Sequence, residues 1–197
     1  MVTVLTATGL ETRAARRAAP GARIVEAGIA LRRLAQREFT GAVITCGLAG
    51  AVRSGLPTGS VVIPSTVLRP DGRWLTCDDA LADALAAAAR RLGLAADRGS
   101  LGTAPSLVRG AARRAWADRG CVAVDMETGL LTAPRIASVR VVLDTPERDL
   151  SDVWQRPVLV LARPAAWGEA AWLAREAPRC AARAAGVLGE ALRPARR

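Results

Sequence analysis

Three stretches of this chain end an apolar run in residues that carry chemistry. Gly120, Cys121, Val122, Ala123 and Val124 are small or apolar, and Asp125, Met126 and Glu127 follow in a row. "RVVLDTP" (140–146) leads through three aliphatic residues to Asp144. Near the start, the run Val2–Ala7 gives way to Thr8 and Gly9, with Glu11 and Arg13 just beyond. A buried, unpaired carboxylate is costly, so each acid must reach water at a rim or meet a polar partner. Helix-start chemistry satisfies one such group, since acids are favourable near a helix N-terminus; a ligand rich in hydroxyls would satisfy another. Asp144 reads in two ways. It is a turn aspartate before Pro146, or a carboxyl whose apolar neighbours raise its pKa so that it holds a proton to donate. "TCGLAGAV" (45–52) sets Gly47 and Gly50 among small residues. Such glycines let a backbone approach a ligand and aim its N–H groups at an anion or a hydroxyl, and they serve equally to pack a tight turn. The stretch lacks the third glycine of the dinucleotide fingerprint.

Composition narrows the chemistry. The chain has no histidine and no tyrosine, which removes histidine triads, histidine-ligated zinc and histidine bases together. Acid–base work falls to carboxylates. Cys46, Cys77, Cys121 and Cys180 include no Cys-x-x-Cys pair and read as reduced thiols in apolar surroundings. No metal and no cofactor are expected. The net charge is +10, and all 28 basic residues are arginine. The arginines are scattered from Arg13 to Arg197 rather than clustered, and aromatic residues make up 3%, too few for stacking platforms. Nucleic acid is therefore not the expected partner. An anionic substrate, or peripheral contact with an anionic membrane surface, suits the charge.

The elements that must position these residues alternate. Strands are expected at Val2–Ala7, 22–28, 41–52, 60–68, 98–104, 121–126 and 138–144, with the glycines of 45–52 forming a turn at the end of the third. Helices are expected at Glu11–Ala18, 30–39, 78–93 and 109–120. A long alanine-rich helix follows Pro164, broken near Pro178. Asp71–Gly72 suits a tight hairpin turn. Asp at the start, two arginines at the end and a glycine beyond make 78–93 the clearest helix. Alternation predicts an α/β fold, and the hairpin predicts a mixed sheet. With 51% hydrophobic residues over 197, the expectation is a single three-layer α/β/α domain over 1–192 with a disordered tail at 193–197. Apolar runs such as "PVLVLA" (157–162) are strand-length, far short of the ~20 residues that span a bilayer. No secretory leader is evident, so the cytoplasm is the expected location.

The order of these pieces resembles the nucleoside phosphorylase and nucleosidase superfamily, which includes purine nucleoside phosphorylases and methylthioadenosine nucleosidases. Over roughly residues 2–150 come Gly-x-Ala-Gly near residue 50, then "VVIP", then "VDMET", then an Arg-x-x-x-Asp strand end. "GLAGAV", "MET" and "VVLDTP" look closest to the hopanoid-associated branch. The resemblance implies that the chain cleaves the N-glycosidic bond of an adenosine-type nucleoside by phosphorolysis or hydrolysis, with adenosylhopane a substrate suggested by that branch. It implies that Glu127 accepts hydrogen bonds from the ribose hydroxyls, that Met126 packs on the sugar, and that Gly47, Ala49 and Gly50 line the substrate. Asp125 takes a structural role, and Arg140 helps to structure the strand end. Asp144 corresponds to the aspartate that protonates N7 of the leaving purine. Thr8, Gly9, Glu11 and Arg13 are the candidates for a phosphate site or a water-activating base. A homo-oligomer is implied, because family sites borrow residues from a neighbour.

The chain departs from the family at two positions. Leu143 stands where many members carry serine before the catalytic aspartate, and Leu48 where many carry serine after the first glycine. The chain is also short for the family, and the helix after "DMET" is cut off at Pro134. These departures leave a second reading, a nucleoside-binding protein that kept the fold and lost the reaction.

Overall fold

A computed structural model describes residues 2–151 and 167–193 of the chain. Its framework is a ten-stranded mixed sheet. The central pair is β3 (Ala42–Ala51) and β10 (Arg135–Asp144), parallel along their whole length. Outside β3 lie β1 (Val2–Thr6) and then β2 (Arg23–Glu26), both parallel to it. Outside β10 lie the short β4 (Val61–Val62), antiparallel, and β7 (Ala96–Asp97). The other arm runs from the end of β3 through β9 (Cys121–Asp125), β8 (Ser100–Thr103) and β5 (Thr66–Leu68) to β6 (Trp74–Thr76). Among the described residues no helix is long and apolar enough to cross a membrane.

Side-chain alternation divides the core in two. Val4, Ile44, Ala137 and Val139 face one side of the sheet, where α1 (Gly9–Ala18), α2 (Asp79–Arg91) and α4 (Trp167–Ala191) supply Ala15, Leu85, Ala184 and Leu188. Their neighbours Leu5, Val43 and Ile136 face the other side and meet Leu31 and Leu131 from loops. α3 (Ala111–Ala117) packs on β9. Two helices begin where their sequence directs. Thr8 and Glu11 form a reciprocal capping box on α1, and Asp78 caps α2 through the Leu81 N–H. All four cysteines are buried and unpaired.

Four expectations change. The glycine stretch after Thr45 is not a turn: β3 continues through Gly47 and Gly50 to Ala51. The segment 60–68 is two strands, because Pro64 has no N–H for the ladder. The helix expected at 30–39 is a single 3-10 turn at Ile29–Leu31, with Ala30 and Leu31 at positive φ. Its apolar residues Leu31, Leu34 and Phe39 make a patch over Leu5 and Val43 rather than a helical stripe. Finally, α4 runs unbroken through Pro178, since the buried residues Trp172 and Cys180 on either side of it pack on the same core. The run 157–162 and the tail beyond residue 193 lie outside the described residues.

The contact between α1 and α4 is set by Gly189, where a Cβ would lie 2.3 Å from the Ala18 carbonyl oxygen. Gly189→Ala should therefore destabilise the fold by about 1–3 kcal/mol through overpacking, despite the ~1 kcal/mol helix preference of alanine over glycine. Urea unfolding measures the change; a more stable variant would show that the helices separate freely.

Candidate active site

The site begins with a gap in the sheet. On one edge, β3 pairs with β1 through Thr45 and with β9 from Gly50 onward. Neither strand reaches Cys46–Ala49, so backbone groups there need other partners. Glu11 fills this place. Its Oε1 accepts the Leu48 N–H at 2.8 Å, and its Oε2 accepts the Thr8 N–H at 2.7 Å and the Ala7 N–H at 3.1 Å. The buried carboxylate lies directly over Gly47, where a Cβ would sit 2.2 Å from Oε1. Any side chain at Gly47 would expel Glu11.

The end of β9 carries the second group. Asp125 accepts from Thr103 Oγ1 at 2.7 Å, from the Thr128 N–H at 3.1 Å and from the Thr128 hydroxyl. It also pairs with the Arg140 guanidinium at 2.6 Å. Asp125 is thus fully occupied inside the protein. Arg140 is 1% exposed; it reaches Glu127 at 3.4 Å and donates to Thr128 Oγ1 at 3.1 Å. Its Nε has no hydrogen-bond partner among the described residues. Glu127 is held more lightly, by this distant ion pair, by the Ala30 N–H at 3.2 Å and by the Met126 N–H at 3.4 Å. Burial pushes its carboxyl up to about 7; Arg140 opposes the shift and the Asp125 charge adds to it.

Asp144 ends β10 opposite Gly50, just after a register shift at Val142. A Cβ on Gly50 would lie 3.0 Å from Asp144 Oδ2. The carboxyl is 4% exposed and pairs with the buried Arg113 of α3. Burial raises its pKa, and the Arg113 hydrogen bond and charge pull it back.

These groups meet around a cavity of about 190 Å³. Thr8, Glu11, Ala49, Gly50, Asp125, Met126, Glu127 and Asp144 line it, with Leu48, Leu107, Val108, Leu143, Leu150 and Ile29 forming apolar walls. Gly47 is not on the wall; it makes room for Glu11 beneath it. Gly9 faces Glu26, and Arg13 is exposed on α1, so neither is brought to the cavity. A larger hollow of about 730 Å³ lies at the other end of β1, between the end of α1 and α4, but no acidic residue among those described lines it. Two contributors escaped the sequence. Ala30 belongs to the segment expected to be a helix. Arg113 is one of many arginines, and nothing local distinguishes it from Arg114 beside it. Among the described residues no group of three or more cysteine, aspartate or glutamate side chains is arranged to hold a metal ion.

Residues 20–133 match the family model of the phosphorylase superfamily, a span that includes Gly47, Gly50 and Glu127 and stops before Asp144. No curated protein matches the chain by sequence. Several solved structures share the fold. The 5′-methylthioadenosine/S-adenosylhomocysteine nucleosidase of Neisseria meningitidis, in complex with methylthio-immucillin-A, gives a TM-score of 0.70 at 19% identity, over 97% of this chain and 97% of that one. The S-adenosylhomocysteine nucleosidase of Streptococcus pyogenes, in complex with 5-methylthiotubericidin, gives 0.70 at 16%, over 97% of this chain and 95% of that one. The futalosine hydrolase of Helicobacter pylori gives 0.68 at 10%, over 97% of this chain and 96% of that one.

The Glu127 shift has a consequence for the empty protein. A folded-state value of about 7 against an ordinary 4.5 means the folded state binds this proton more tightly than the unfolded chain. That stability is complete below about pH 4.5 and is lost as pH rises through about 7, up to about 3 kcal/mol. Urea unfolding at about pH 5 and about pH 8 should show the loss, and Glu127→Gln should flatten this part of the profile. An unchanged profile in the variant would place the titration elsewhere.

Proposed function

The chain belongs to the phosphorylase superfamily, and on that premise we propose that it hydrolyses the N-glycosidic bond of a purine nucleoside. The observation that carries the reading is the convergence of Glu11, Glu127 and Asp144 on one cavity. Each has a distinct task. Glu127, whose contacts are all 3.2 Å or longer, accepts the ribose hydroxyls, with Met126 against the sugar. Glu11, oriented by three backbone N–H groups, takes a proton from water as the water oxygen bonds to C1′. The C1′–N9 bond breaks, and its electron pair passes into the purine. Asp144 delivers its proton to N7, so the base leaves neutral.

Hydrolysis is favoured over phosphorolysis at Glu11 and Leu48. A phosphate dianion in that position would meet the Glu11 carboxylate at close range, a repulsion strengthened by the low dielectric of a buried site. Leu48 offers it an apolar side chain where many relatives have serine. The nucleosidase neighbours, crystallised with methylthio-nucleoside analogues, support an adenosine-type substrate. The aliphatic walls from Leu48 to Leu150, with half-exposed Ile29 at the edge, suit an apolar 5′ substituent, a description that adenosylhopane fits. A homo-oligomer is part of the same proposal, with a second copy covering Ile29; light scattering that finds only a 20.5 kDa species would remove that part.

The purified protein should release adenine from 5′-methylthioadenosine in phosphate-free buffer, at a rate that added phosphate does not raise. Release that requires phosphate would make it a phosphorylase. Tight binding without release would make it a binding protein, the alternative that Leu48 and Leu143 raised. Asp144→Asn should bind substrate nearly normally and turn over at least ~10²-fold more slowly. Glu127→Ala should lose roughly 3–6 kcal/mol of nucleoside binding, the worth of two charge-assisted hydrogen bonds. Wild-type rates in Asp144→Asn would return that residue to the role of a turn aspartate.

A further inference from the structure

Asp144 is asked to donate a proton, yet it is paired with a buried arginine. A cation this close favours the ionised carboxylate, so Arg113 alone would strip the proton that the reaction needs. The structure holds a second carboxylate on the same fork. Asp149, on the loop that follows β10, takes Arg113 Nη2 at 2.6 Å and Nε at 3.2 Å, and its other oxygen accepts the Gly110 N–H at 2.5 Å. Arg113 Nη1 is spent on the Ala51 carbonyl. One guanidinium therefore serves two acids: Asp144, which is buried, and Asp149, whose side chain is 30% exposed.

We propose that Asp149 is a positioning residue that lets Asp144 carry its proton, by holding the charge of Arg113 whenever Asp144 is neutral. This rests on the reading of Asp144 as the acid. With Asp149 in place, protonating Asp144 leaves no unpaired cation in the interior, a state that would otherwise be strongly unfavourable. The negative charge of Asp149 also acts directly on Asp144 to favour the neutral form.

The other charges around Asp144 are fixed by the fold. Glu11 from α1 and Asp125 and Glu127 from the end of β9 face it across the cavity. Arg140 lies lower on β10 itself. Arg109, before α3, acts on Asp149. β3 presents Gly50, and α4 places the Cys180 thiol on the Val142 carbonyl, two residues before Asp144.

Titrating Asp144 by carboxyl-carbon NMR tests this without any turnover. Asp149→Asn keeps the shape but removes the competing charge, so the Asp144 midpoint should fall by about one pH unit, a tenfold loss of proton affinity. Asp149→Glu should restore it, and Arg113→Gln should move it upward. In an active enzyme the alkaline limb of kcat against pH should follow the same shift, with KM at the optimum unchanged. A residue that merely clamps the start of α3 would lower kcat equally at every pH. An Asp144 midpoint that stays put or rises in Asp149→Asn overturns the proposal. A wild-type protein that releases no base overturns the hydrolytic reading instead, and the NMR result still decides the role of Asp149.

Discussion

The split edge of β3 is the constraint from which the site follows. A strand that gives one edge first to β1 and then to β9 leaves a short stretch of backbone that neither neighbour can pair. Chain reversals at the ends of both neighbours then fall beside that gap, and they bring Thr8 and Glu11 from one side and Asp125 to Glu127 from the other. The parallel partner β10 ends level with Gly50 and adds Asp144. Ligands of open α/β sheets gather where strand connections diverge, and here the divergence occurs along a single strand. The two glycines of β3 belong to the same constraint: without a Cβ at either, the strand admits a carboxylate close against it.

So many acids in one place would repel each other without Arg140. Its guanidinium lies between Asp125 and Glu127 and is completely enclosed. A buried pair of this kind adds little net stability over apolar replacement, but removal of one partner strands the other. Arg140 lies 2.6 Å from Asp125, which has its full set of hydrogen bonds, and 3.4 Å from Glu127, which takes the weaker share. On the proposed reading, Glu127 keeps the capacity to accept from the hydroxyls of a sugar.

Much of this was legible in the residues because it depends on local chemistry. Acids at the ends of apolar runs marked strand ends, and the Asp78 cap and the Asp71–Gly72 turn signalled their own conformations. The elements that failed to show themselves are those decided by tertiary contact. Ile29 to Phe39 carries enough good helix formers to read as a helix, yet the need to cover Leu5 and Val43 wins. Gly47 and Gly50 looked like a turn because glycine disfavours strands, whereas the reason for them is a carboxylate from another element. Arg113 could not be told from its neighbours at all. Its importance comes from Asp144 and Asp149, which lie more than thirty positions away.

The sulfur content has a practical side. Burial pushes the thiols of Cys46 and Cys77 up to about 12 and those of Cys121 and Cys180 to about 11. Thiolates are the species that alkylating reagents attack, so these four buried cysteines are poor targets for them, and with no lysine in the chain the usual side-chain amine background is missing as well. One cysteine introduced at an exposed position becomes a unique handle. Placed by Ser106→Cys at the exposed rim of the cavity, it would carry a fluorophore that reports occupancy directly.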